Sequence, residues 1–481
     1  MIKKMYQKLH YKYANMSDIA KATFWFFICN IFQKCISFLT TPIFTRLLST
    51  EQYGVFVTYN SWMQILTIIV TFRLDYGIFN KGMSHFSEHK DEYAATMQGI
   101  TTVITTICFF IYLIFRHYFN ELTGLSTFIS VAMFLELYAT SAISYWSLRQ
   151  RYDFKYKSVV FVTLSIAILN SVLGIFAVLL FNRTGQARIL SAVLVQICFG
   201  IIIYIYNFKK GKTFLNFEYA KYAILFNIPL IPHYFASYIL DQFDRIMIMK
   251  MVSYSAVGIY GLAYGSGFVI KIVTNSLNNT LIPWMYRQLE NKNFSDIEKC
   301  VKSIIEFVSI GFMVYMALSP EIISVMGSKN YSEATYILPP VTASVFLIFM
   351  YELFANKEFY YKKNKMTMYI AMLGAVANII LNYIFIQIGG YVMAAYTTLI
   401  CYVYFSVAHF IYMTRVVKME CGVNIFSFSI VIKNICIIVG FSIMILLCIN
   451  INIIRYIIIA VLLVYAFVRR KKLLSFMNVL K

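Results

Sequence analysis

Charge is scarce in this chain. Asp, Glu, Lys and Arg make up 13% of its 481 residues while hydrophobic residues reach 60%, whereas soluble domains keep about a quarter of their residues charged. So little charge cannot cover a water-facing surface, so lipid is the solvent for most of the chain and no soluble domain is large enough to hold a conventional active site. Catalytic motifs are missing too. There is no Walker A loop, no G-x-G-x-x-G opening a helix after a strand, no H-E-x-x-H and no G-x-S-x-G. The nine cysteines lie mostly within apolar runs, with no C-x-x-C pair and no metal-ligand spacing, and read as small packing residues. No enzyme and no cofactor is expected, and without an ATP site any active transport must draw on an ion gradient (H+ or Na+), on the gradient of the cargo or on later steps.

Long apolar runs are present in abundance. Stretches of about 18 to 25 residues, enough to cross a hydrocarbon core at 1.5 Å per residue, predict about fourteen spans, at 22–42, 53–73, 96–116, 125–148, 158–181, 186–207, 223–249, 255–282, 303–320, 334–355, 366–388, 390–414, 428–449 and 451–468. The first run has no small-residue cleavage site and reads as a retained helix. The expected fold is an all-α polytopic membrane protein.

The formal net charge of +21 raises a nucleic-acid role, and the positions of the basic residues decide against it. With the N-terminus inside, Lys3, Lys4, Lys8, Lys12 and Lys21, then Arg149 to Lys157, Lys209 to Lys221, Lys357 to Lys365 and Arg469 to Lys472 all fall on one side. In all, about 32 of the 42 basic residues do so, and Arg46, Arg116, Arg183, Arg188, Lys250, Lys329 and Arg455 fall on the other. This positive-inside asymmetry places both termini in the cytoplasm and makes the basic excess topological.

An internal repeat is legible. Arg46-Leu-Leu-Ser49 and Gly54-Val55-Phe56 line up at one offset with Lys250-Met-Val-Ser253 and Gly258-Ile259-Tyr260. At a slightly longer offset, as one loop insertion would give, Arg149, Tyr152, Lys155, Lys157 and Asn170 meet Lys357, Tyr360, Lys363, Lys365 and Asn378. A six-span period returns each copy in the same orientation, so the repeat is parallel, about a pseudo-two-fold along the membrane normal. Two six-helix lobes follow, 1–210 and 211–418, with two C-terminal helices and a basic tail at 419–481.

Polar side chains in hydrocarbon are costly unless they face protein or water, so their angular positions mark inward faces. The first span carries Asn30, Lys34, Ser37, Thr41 and Thr45 at steps of three and four, and the second carries Asn60, Gln64, Thr67, Thr71 and Asp75. The seventh has His233, Ser237, Asp241 and Asp244; the eighth has Tyr264, Lys271, Asn275 and Asn278. These stripes are symmetry mates under the repeat and would enclose a central cavity containing Lys34, Arg245 and Lys271. A cation there can snorkel, pair internally or bind an anionic cargo, and Lys34 has the least room to snorkel. Arg245, four residues after Asp241, reads either as a helix ion pair or as a cargo contact. Lys and Arg both suit phosphate. Glu136, sharing a face with Thr140, Ser144 and Ser147, and Asp75 are candidates for ion coupling. Glu306 is a third carboxylate, near a span end, and for Glu136 and Glu306 a satisfied interhelical contact is the alternative. Pro42, Pro229, Pro232 and Pro283 are expected to break or kink spans beside the stripes.

The segment Thr41-Pro42-Ile43-Phe44-Thr45-Arg46-Leu47-Leu48-Ser49-Thr50-Glu51-Gln52-Tyr53-Gly54 resembles the first-to-second helix signature of bacterial oligosaccharide flippases (Wzx-type). Asp244-Arg245-Ile246-Met247-Ile248 with Val257-Gly258-Ile259-Tyr260, and Leu381-Asn382-Tyr383 with Gly389, are similar to later segments of the same polysaccharide transporters, which share a superfamily with multidrug and toxin extruders and peptidoglycan-precursor flippases. The resemblance implies two six-helix lobes and export of an undecaprenyl-diphosphate-linked sugar unit (O-antigen, capsule or a related polysaccharide) from the inner to the outer leaflet of the bacterial plasma membrane by alternating access. It also implies a cationic cavity for the diphosphate. On that reading Lys34, Arg73, Arg245 and Lys271 attract the cargo, Asp241, Asp244 and Asn275 tune the site, and the last two helices offer a groove to the polyprenyl tail. A polymerase and a chain-length regulator are candidate partners. The alternatives are a cation-coupled drug extruder, in which deep carboxylates should dominate, and a membrane polymerase or ligase, which should show a larger external loop than the longest here, 319–333.

Overall fold

A computed structural model of the chain describes residues 15–363, 365–474 and 476; Lys3, Lys4, Lys8 and Lys12 lie outside them, as does the side chain of Lys365. Among the described residues, thirteen helices are long and apolar enough to cross a membrane. They are α1 (Asp18–Leu47), α2 (Thr50–Thr71), α3 (Lys90–Ile114), α4 (Thr127–Tyr152), α5 (Tyr156–Leu180), α6 (Gly185–Gly211), α7 (Phe217–Met251), α8 (Tyr254–Glu290), α9 (Phe294–Ala317), α10 (Ala334–Tyr360), α11 (Met366–Gly389), α12 (Met393–Cys421) and α13 (Phe428–Leu447). A shorter apolar helix, α14 (Asn452–Val468), has 17 residues, about 26 Å at 1.5 Å per residue. The protein is a multi-pass, all-helical membrane protein, as the apolar runs predict.

Caps set helix ends that hydropathy blurs. Ser17 precedes α1 and its side chain accepts from the Ala20 amide, so α1 starts before the apolar run does. Ser49 and Ser253 cap α2 and α8, each hydroxyl accepting an amide at 3.2 Å, from Gln52 and Ala256 respectively; such a cap is worth about 1 kcal/mol. These two serines are repeat mates. The repeat extends to backbone detail: after α4 the amides of Phe154 and Lys155 donate to the carbonyls of Arg151 and Gln150, and after α10 those of Lys362 and Lys363 donate to Phe359 and Glu358. Phe154 and Lys362 both take φ 57°, and Asn182 and Gly390, mates at the next turn, are both left-handed.

The chain forms two compact units, Met1–Tyr234 and Phe235–Lys481. They part inside α7, later than the lobe boundary expected at 210/211. The reason is local: Tyr219, Ala220 and Ala223 of α7 pack with Leu74, Phe79 and Tyr93 of the first unit, and buried Asn227 donates to the carbonyls of Phe72 and Arg73, 2.8 Å each. In the second unit α10 is the central helix, with 89% of its membrane-length window buried against 11% for α1. Val431, Ile435 and Ile438 of α13 join that core.

The prolines interrupt α7, as expected, but neither α1 nor α8 is broken at its proline. α1 continues through Pro42 and α8 through Pro283. The interruption in α8 falls instead at Ile270, between Val269 and Lys271. In α7, where Pro229 and Pro232 remove two amide donors, the helix passes through a 3-10 turn at Ile228–Leu230 and then a π turn at Ile239–Phe243.

Candidate functional site

The irregular stretches of α7 and α8 bring several of the expected residues together in the second unit. Asp241 lies in the π turn, a feature that recurs at functional sites. Asp244 follows as the first residue of the next helical segment and is fully buried. Its carboxylate accepts from the Tyr260 hydroxyl at 2.5 Å and pairs with the Arg245 guanidinium at 3.1 Å. That guanidinium also donates to the Asp241 carbonyl and lies 4.0 Å from the Tyr264 ring centroid. The ion pair expected four residues apart, between Arg245 and Asp241, is thus made with the adjacent Asp244, because the wider π turn carries the Asp241 side chain off the i, i+4 line. Asp241 instead accepts from Tyr402 of α12 at 3.5 Å.

Lys271 opens the second segment of α8, half-buried, with its ammonium 5.0 Å from the Phe268 ring. Its charge reaches both Asp241 and Glu352. One turn on, Asn275, Asn278 and Asn279 of α8 face Glu352 and Asn356 of α10 around a cavity of about 280 Å³. Asn278 Nδ2 donates to Glu352 Oε2 at 2.6 Å, while its buried Oδ1 has no hydrogen-bond partner among the described residues. A pocket of amides and one carboxylate beside an ammonium can bind hydroxyl groups in both directions and hold an anion at its edge. Ile270, Val273, Phe307 and Leu463 line an apolar cavity of about 330 Å³.

The first-unit candidates are dispersed. Lys34 is exposed on α1 and makes no ion pair among the described residues. Arg73 sits in the turn after α2 at φ 52°, with Nε 3.8 Å from Asp75 and its guanidinium within 6 Å of the Tyr76 and Tyr234 rings, at 5.4 and 5.9 Å. Asp75 lies outside the spans; burial holds its carboxyl above the usual range, partly offset by Arg73. Glu136 is buried and accepts from Tyr59 at 2.5 Å. The threonines of the stripes bond back to their own helices: Thr41 to Ser37, Thr67 to Met63 and Thr71 to Thr67, at 2.7 to 2.9 Å. Such back-bonding satisfies a hydroxyl without water, so these residues alone do not mark a hydrated face.

Sequence reasoning missed Glu352, Asn356 and Tyr402. Glu352 and Asn356 carry the same signal that singled out Glu136, a lone polar residue in an apolar run, but they fall near the end of the run read as 334–355. Also missed is the fully buried group of Glu358, Thr367 and His409, in which Thr367 donates to Glu358 at 2.7 Å and His409 Nδ1 lies 3.0 Å away.

Among the described residues the chain is a strand-free bundle of membrane-length helices with a polar pocket inside the second unit, and its family matches make it a membrane flippase or transporter of the multidrug/oligosaccharidyl-lipid/polysaccharide exporter superfamily. Within it, the chain belongs to the polysaccharide biosynthesis protein family, whose model matches residues 19–289; the MatE model matches 229–384. The chain is similar to the Lsg locus putative protein 1 of Haemophilus influenzae, 23% identical over 71% of this chain and 85% of the relative. It is also similar to the probable low-salt glycan biosynthesis flippase Agl15 of Haloferax volcanii, 22% identical over 84% and 85%. Its fold is shared with lipid II flippase MurJ in an inward closed conformation, TM-score 0.66 at 15% identity over 92% and 98% of the two chains. An inward-facing multidrug resistance MATE transporter shares it too, with TM-score 0.59 at 12% identity over 81% and 96%.

Proposed function

We propose that this protein moves undecaprenyl-diphosphate-linked oligosaccharide units from the cytoplasmic to the outer leaflet of a bacterial plasma membrane by alternating access, with both termini cytoplasmic. The observation that carries this reading is the pocket of Asn275, Asn278, Asn279, Asn356 and Glu352, set within membrane-length helices, with Lys271 one turn before Asn275 and its charge reaching Glu352. Amide-rich pockets suit sugar hydroxyls, and a lysine beside them suits a diphosphate. The apolar cavity reaching Leu463 and Ala466 of α14 suits a polyprenyl tail. Family membership and the likeness to the probable glycan biosynthesis flippase of Haloferax volcanii support the same reading. Arg245, already engaged by Asp244, serves as a frame for Asp241 rather than as a direct phosphate ligand. The test is gene deletion followed by analysis of cytoplasmic-leaflet lipids. A lipid-linked glycan should accumulate and surface polysaccharide should disappear, both restored by the intact gene; unchanged lipid-linked sugars would reject the reading.

A second reading, a cation-coupled drug extruder, is favoured by the MatE match across 229–384, the stretch that holds Asp241, Asp244 and Glu352. It predicts dye efflux that collapses when the proton or sodium gradient is removed, with lipid-linked sugars unaffected by deletion.

A further inference from the structure

At one end of the second unit, α9, α13 and α14 form a groove of about 940 Å³, near the upper size of small-molecule pockets. Its chemistry changes with depth. Lys299 and Lys302 lie in the first turns of α9, Lys433 in the second turn of α13, and Lys472 just past the end of α14. Because α9 and α13 begin where α14 ends, the four ammonium groups share one mouth. Farther along the same helices the lining turns apolar, with Met313, Ile437, Val461 and Leu462.

Internal pairing does not use up the positive charge. Lys302 is paired with Glu298 at 2.7 Å and Lys472 with Glu306 at 3.6 Å, but Lys299 and Lys433 have no ion pair among the described residues. Among the described residues Glu306 is the one carboxylate lining the groove, and the Tyr465 hydroxyl holds it at 2.8 Å. Its negative charge bars a second anion from going deeper and so fixes an anionic group at the level of Lys299 and Lys433. A soluble polyanion would leave the apolar floor wet; a neutral lipid would leave the lysines without a counter-charge.

We infer that this groove is a binding site for an anionic glycerophospholipid of the surrounding bilayer, its phosphate held by Lys299 and Lys433 with Lys302 and Lys472 beside them, and its acyl chains laid along Ile437, Val461 and Leu462. Basic pockets between membrane helices recognise acidic head groups in this manner. The groove shares no lining residue with the asparagine pocket and meets the apolar cavity only at Ile310, so its lysines stand apart from the groups proposed to hold the cargo's sugar and diphosphate.

The test uses the full chain reconstituted in phosphatidylcholine vesicles doped equally with phosphatidylglycerol and phosphatidylethanolamine, followed by native mass spectrometry of the lipid retained. The wild type should retain phosphatidylglycerol over phosphatidylethanolamine, and the Lys299→Gln/Lys433→Gln variant should lose roughly a factor of five per lysine. A control pair, Lys155→Gln/Lys157→Gln, should keep the preference. Glu306→Gln, which frees Lys472, should increase it, a gain that misfolding cannot mimic. Absence of a preference in the wild type, its survival in the double variant, its equal loss in the control, or displacement of the bound phospholipid by added polyprenyl diphosphate would each overturn the assignment. None of these readouts depends on glycan export, so failure here leaves the proposed function standing.

Discussion

His409 Nδ1 of α12 lies 3.0 Å from Oε1 of Glu358 on α10, with neither side chain exposed. Thr367 completes the carboxylate's partners, and the neighbouring Lys357, also fully buried, donates to the Leu353 carbonyl at 2.8 Å. Removing one member of such a buried hydrogen-bonded pair leaves the other unsatisfied, a cost of about 1 to 3 kcal/mol. Glu358→Gln and His409→Gln are therefore each expected to lower the unfolding midpoint in detergent, and the paired change Glu358→Gln/His409→Gln to cost less than the sum of the two. Additive effects in that double-mutant cycle would show that the two residues are uncoupled.

The asparagine pocket gives a functional prediction. If Asn275 and Asn356 each donate or accept one hydrogen bond to cargo, replacing either with Leu costs about 0.5 to 1.5 kcal/mol, a several-fold fall in surface polysaccharide with membrane insertion unchanged. Full export in the Asn275→Leu/Asn356→Leu variant would remove the pocket from the transport path.

Lys34 and Lys271 are expected to act as charges. Lys34→Ala should abolish surface polysaccharide without loss of insertion, and Lys271→Ala should do likewise, whereas Lys34→Arg should keep much of the activity because an anion accepts either cation. Normal polysaccharide in Lys34→Ala would exclude that residue from a part in transport.

Acid sensitivity should localise to Glu321, in the short helix Ser319–Met326 between α9 and α10. Arg455, buried in α14, holds both carboxylate oxygens at 2.8 and 2.9 Å. Partial burial pushes the Glu321 carboxyl up, but the hydrogen bonds from Arg455 and Tyr456 outweigh it and hold the group below the ordinary glutamate value. A folded-state depression adds stability that is present above the unfolded value, about 4.3, and is lost as pH falls through the folded one. Thermal melts in detergent should therefore show an acid-side decline that is shallower in Glu321→Gln. An identical decline would assign acid sensitivity to other carboxylates.

Much of the fold is legible in the sequence because lipid imposes one length on every span, and the run lengths read it directly. Helix ends are less so: Ser17 and the first-unit packing of Tyr219 and Asn227 moved boundaries that hydropathy cannot see. Lys271 and Asn275 were legible as isolated polar residues in apolar runs, and they fall together. The partner of Arg245 was not, since a π turn has no residue signature and shifts the face on which Asp241 stands. Arg455 was legible only as a cation on the side opposite the termini, not as one buried against Glu321 and the Ala317 carbonyl at 2.8 Å.

The π turn at Ile239–Phe243 amounts to one extra residue wound into α7, so the helix after it runs out of phase with the helix before it. Any comparison of this chain with its relatives should therefore tolerate a single-residue insertion or deletion there. Deleting one residue from the turn would restore regular winding, but it would rotate either Pro229 and Pro232 or Asp244 and Arg245 by about 100°, one residue's share of a 3.6-residue turn.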